Sequence, residues 1–128
     1  MKVGLILAVA VLPILAHHSV PATFDINTTI TIQGVVTKTE WTNPHARFWV
    51  DARNAEGSVS NWELELPAPN ALMKENVRRD FIKQGDQVTV NLWRAKDGSN
   101  FAHTLTLTFP DGRVMSFPRD WGMPANPK

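Results

Sequence analysis

The chain has 128 residues, with 13 basic and 12 acidic side chains and no cysteine. A balance this close to neutral lacks the clustered positive charge that general nucleic-acid binding needs. The missing thiol excludes disulfides, thiolate metal sites, a cysteine nucleophile and a lipidated cysteine.

Met1-Lys2 opens the chain with one positive charge, and Val3 to Leu15 carries none, with Pro13 near its end. The small Ala16 follows, with the aliphatic Ile14 two places before it. This is the layout of a secretory signal peptide over residues 1–16, cut after Ala16. The apolar run, about 13 residues, is too short for a membrane-spanning helix of about 20. Cleavage leaves a single domain, 17–128, with 12 basic and 12 acidic groups. No membrane span remains, and the expected compartment is the bacterial periplasm or the medium. Residues 17–29 form an arm before the first strand.

Ile30, Ile32, Gly34 and Val36 alternate with polar residues, which predicts a long strand that can run to Trp41. "TNPHA" (42–46) breaks it at Pro44. "RFWVDAR" (47–53) puts Phe48 and Val50 on one face and Arg47, Trp49 and Asp51 on the other. After the turn "NAEGS", "VSNWELELP" (59–67) sets Trp62, Leu64 and Leu66 against Asn61, Glu63 and Glu65. The period then becomes helical over 69–82, with Asn70 as the N-cap. "QVTVNLWRA" (87–95) sets Val88, Val90 and Leu92 against Thr89, Asn91 and Trp93. "KDGSN" is a tight turn, and "FAHTLTLTF" (101–109) groups His103 with Leu105, Leu107 and Phe109. "PDG" turns before "RVMSF", and the tail 118–128 reads as irregular.

The order β-β-β-α-β-β predicts an all-β domain with one helix, an OB-fold-like five-stranded barrel. An unclosed five-stranded sheet packed on the helix is the alternative.

The chain resembles a family of small exported bacterial proteins catalogued as a domain of unknown function, number 6152. The resemblance rests on "AHHS" (16–19), "EWTNPHA" (40–46), "NWELEL" (61–66), "GDQVTV" (85–90), "RAKDGSN" (94–100) and "PDGR" (110–113), in order along nearly the whole mature chain. It implies an exported single domain and carries no activity with it.

Function therefore has to come from the residues. The four histidines are His17, His18, His45 and His103. His45 falls in the turn after the first strand and His103 just after the turn before the fifth, the two loops that rim the ligand side of an OB barrel. Cleavage after Ala16 frees the α-amine of His17, whose pKa near 8 lets a metal displace its proton. Amine and imidazole of one residue chelate, and His45 or His103 would complete a three-nitrogen set, with His18 as a spare ligand. All-nitrogen tetragonal sites favour Cu(II), while zinc with three imidazoles and a water competes. A cut after Leu15 would place His18 third and again make a square-planar copper terminus. The reach is tight: thirteen residues precede Ile30, and extended they span roughly 43 Å. Solvated tail histidines and a turn-capping His45 are the plain alternatives.

Trp41, Trp49 and Trp93 share outward parity, which suggests a second use as a face for a peptide, glycan or partner protein. Glu63 and Glu65 on one strand face read as solvated. No catalytic constellation is recognised, so the expected protein is a small exported binding protein rather than an enzyme, with copper as its expected metal and no nucleic-acid partner.

Overall fold

The computed structural model describes residues 19–123. The expected signal peptide, His17, His18 and the tail beyond Met123 lie outside the described residues.

The elements are a helical turn α1 (Val20–Thr23), strands β1 (Ile30–Glu40), β2 (Arg47–Arg53) and β3 (Val59–Glu65), helix α2 (Pro69–Lys74), then β4 (Gln87–Arg94), β5 (Phe101–Thr108) and β6 (Val114–Ser116). Antiparallel pairs join β1 to β2, β2 to β3, β1 to β4 and β4 to β5. A short parallel pairing of β3 with β5 closes the ring. The result is a closed five-stranded barrel with one extra strand, consistent with the OB-like expectation. β5 spends one edge on two partners, β3 along Phe101–His103 and β6 along Thr106–Thr108.

Period-two alternation does its expected work in the first three strands. Val36, Phe48, Val50, Trp62 and Leu64 all point into the barrel, none more than 8% exposed. Asn54 organises the β2–β3 turn by accepting the Ser58 backbone N–H at 2.9 Å.

The helix is shorter than the period suggested, ending at Lys74 rather than near residue 82, and Ala68, not Asn70, stands at its N-cap. The cause is Asn76, whose φ of 58° is left-handed. The Val77 N–H donates to Leu72 O at 2.9 Å and the Asn76 N–H to Met73 O at 3.1 Å, the paired bonds of a Schellman stop. Leu72 and Val77 are both buried beside this stop. Asn76→Ala is expected to lower stability by about 1 kcal/mol, because only Gly and Asn take this conformation cheaply. Asn76→Gly is expected to be neutral or better. Urea midpoints of the two variants check this.

The fourth and fifth strands depart from simple alternation. The pairing of Asn91 with Thr106 is followed by Leu92 with Thr104, so Leu105 is an extra residue in the ladder. Ala102 and Leu107 lie in the barrel core. Leu105 instead joins Val20, Phe24, Trp93 and Ala95 in a second apolar cluster outside it. The expectation that His103, Leu105 and Leu107 share one face is therefore corrected, since the bulge puts the first two outside and Leu107 inside.

The arm is tied down over this outer cluster. Lys96 N–H donates to Thr23 O at 2.9 Å, Asp25 N–H to Arg94 O at 2.9 Å, and Phe24 bridges Ala95. Among the described residues no helix is long and apolar enough to cross a membrane.

Candidate functional site

Register aligns a row of polar and aromatic residues across the outside of the barrel. Arg47 pairs with Glu65, Glu65 with His103, and His103 with Trp93. Cross-strand partners on one face stand about 5 Å apart, so these side chains are neighbours although they come from four strands.

The loop 41–46, which contains a cis Asn43–Pro44 bond, delivers His45 to the end of this row. Its Nδ1–H donates a short hydrogen bond to Glu65 Oε1. A carboxylate only accepts, so Nδ1 carries the proton of this bond. The Glu65 side chain is 12% exposed and that of His45 31%. Alongside, Arg47 Nη1 donates to Glu63 Oε1 at 2.7 Å. The two glutamates read as solvated are thus both partnered, and Glu65 was missed as a site residue. The only sequence signal for it was its shared parity with Arg47 across the hairpin.

His103 is fully buried. Its ring stacks on Trp121 at 3.9 Å between centroids, 10° from parallel, and on Trp93 at 5.3 Å and 16°. Phe24 lies against it at 5.5 Å. Among the described residues neither ring nitrogen has a hydrogen-bond partner, nor do Trp93 Nε1 and Thr104 Oγ1. Burial, and second the charge of nearby His45, push the His103 pKa down to about 4. The rim position expected of His103 is corrected: the arm and the tail cover it.

Trp121 comes from the tail read as irregular, and nothing in local sequence marks it. The indole N–H donates to Thr104 O at 3.0 Å, which pins the ring over His103. His45 meets the same indole edge-on at 5.4 Å. His45 and His103 are therefore both in contact with Trp121. A cleft of about 620 Å³ beside His45 is lined by Val20, Phe24, His45, Glu65, Phe101 and Trp121, among others. Val20 of the arm and His45 of the loop 41–46 line the same cleft. Among the described residues no group of three or more His, Asp or Glu side chains is arranged to hold a metal ion.

The three tryptophans expected to share an outward face do not. Trp93 is 3% exposed in the outer cluster. Trp41 is half-buried and packs against the barrel core. Trp49 stays at the surface with the Lys38 ammonium 4.5 Å from its ring centroid. Parity put Trp93 outside the barrel, but the arm and tail then covered it.

A family model described as a family of unknown function, DUF6152, matches residues 5–104. The chain belongs to that family. No curated protein and no solved structure matches it. Two motifs of this DUF6152 chain meet at the cleft, since "EWTNPHA" supplies His45 and "NWELEL" supplies Glu65. "RAKDGSN" is a structural turn, in which the Arg94 guanidinium binds Ser99 O at 2.9 Å and Asn100 Oδ1 at 2.8 Å.

Proposed function

We propose that the chain is an exported, periplasmic or secreted binding protein that holds a transition metal, copper first, at the His45 cleft. The observation that carries this reading is the His45–Glu65 pair. Metal-binding histidines typically donate their second ring N–H to a carboxylate, which fixes the tautomer and makes the other nitrogen more basic. Here Nδ1 is so engaged, which in the neutral ring leaves Nε2 as the coordinating nitrogen.

His17 and His18 supply the other ligands. They directly precede Ser19, and the next residue, Val20, lines the cleft. The terminal amine freed by signal cleavage adds a nitrogen, and an all-nitrogen set without thiolate selects Cu(II) over softer alternatives. His103 is the inner ligand of the set. Among the described residues its ring nitrogens have no hydrogen-bond partner, and only the Trp121 indole, in contact with both rings, stands between it and His45.

The test is mass spectrometry of the mature N-terminus, followed by Cu(II) titration read by spin resonance. His45→Ala is expected to weaken Cu(II) binding and to remove one nitrogen from the spin-resonance pattern of the bound ion. Glu65→Gln is expected to weaken binding about 10- to 100-fold, the usual cost of losing an outer carboxylate. A mature chain starting past His18, or equal weak binding by wild type and His45→Ala, would falsify the reading.

A further inference from the structure

A second cleft, of about 610 Å³, opens at the other side of the β1–β2 connection. Trp41, Met73 and Ile82 form its apolar floor, and Arg78, Arg79 and Lys83 its rim. Met73 is 51% exposed, an unbranched apolar side chain left in water. The three cations are exposed, and among the described residues none has a carboxylate within 4 Å. Asp80 stands on the same rim and pairs with none of them.

The segment that carries these cations is held in place. Val77 and Ile82 are buried on either side of the arginines. Phe81 N–H closes a turn onto Arg78 O at 2.9 Å. The Asp86 carboxylate accepts the Lys83 N–H at 2.8 Å. A half-buried indole and an exposed thioether, ringed by cations that have no salt-bridge partner among the described residues, make the composition of a membrane-interface contact, with the apolar groups at headgroup depth and the cations on lipid phosphates. A cradle for free phosphate would instead be lined by polar donors.

We infer that this patch docks the protein on an anionic phospholipid surface. The inference is independent of the metal site and is tested with chelator present. The full mature protein is co-sedimented with vesicles of phosphatidylcholine, with and without phosphatidylglycerol. Binding is expected only to the phosphatidylglycerol vesicles, weakening with salt and shifting tryptophan emission to the blue. Arg78→Gln with Arg79→Gln is expected to lower the partition coefficient about thirtyfold, a factor of about five per cation lost. Met73→Gln, which leaves charge unchanged, is expected to reduce the emission shift. Both sites are exposed, so the circular dichroism of each variant should match wild type. Equal binding to the two vesicle types, or wild-type binding by the double arginine variant, overturns the inference. So does full competition by millimolar glycerol phosphate, which would make it a free-phosphate site. Preference for a single-stranded oligonucleotide over the vesicles also overturns it.

Discussion

Gly34→Ala is expected to cost at least about 3 kcal/mol, the upper range for overpacking, out of the roughly 5–15 kcal/mol that hold a domain folded. A Cβ built on Gly34 would lie 2.1 Å from the Asp51 carbonyl oxygen, 2.7 Å from its carbon and 2.8 Å from Val50 Cγ1. Two of those atoms are backbone, so no side chain can turn away to make room. Gly34 pairs with Ala52 of β2 and with Val88 of β4 at once. It is the place where β1 leaves one partner for the other and coils to close the barrel, the setting in which a strand-interior glycine marks a tight bend. Urea denaturation at neutral pH measures the loss as a fall in midpoint. A midpoint within experimental error of wild type would show that β1 can relax, and the account of the corner would be wrong.

Stability is expected to fall steeply in mild acid, with His103 as the cause. Its folded pKa of about 4 lies below the ordinary value of 6.5. The folded protein therefore keeps His103 neutral where the unfolded chain protonates it. Above about pH 6.5 the two states bind equally few protons at this site and its contribution to stability is complete. Between about pH 6.5 and 4 the unfolded state gains a proton that the folded state refuses, and stability drops by about 1.4 kcal/mol per pH unit, about 3 kcal/mol in all. Below that window both states are protonated and the term is spent.

His103→Leu should remove this slope while keeping the two indoles packed on an apolar side chain of similar size. At neutral pH the variant should lie within about 1 kcal/mol of wild type, because it also removes two buried nitrogens that have no hydrogen-bond partner among the described residues. Urea midpoints of both proteins across the window decide the matter. Parallel curves for wild type and variant would place the acid sensitivity elsewhere.

The barrel was legible because its evidence is local. A strand with one face in the core must alternate, and Phe48, Val50, Trp62 and Leu64 do so without help from distant residues. The turn signals between them set the order of strands, and that order admits few closures. The limits of β1 and β2 followed from Pro44 and from the turn at Asn54. The helix failed by eight residues because a single left-handed Asn76 outweighs a helical spacing that its neighbours continue to show.

By itself, the sequence determined the five barrel strands, their order and the presence of His45 in the loop after the first strand. Each depends on contacts or periodicities within a few residues. Only the tertiary structure decided what surrounds the histidines. The parallel closure of β3 on β5 brings Glu65 beside His103, and the loop 41–46 then lays His45 on Glu65. One extra residue at Leu105 reverses the facing of the residues before it. The arm and Trp121 then cover the face so created, turning an expected rim histidine into a buried one. Counting by twos can say which side of a strand a residue takes, but burial depends on what lands there, and here that cover comes from both ends of the chain.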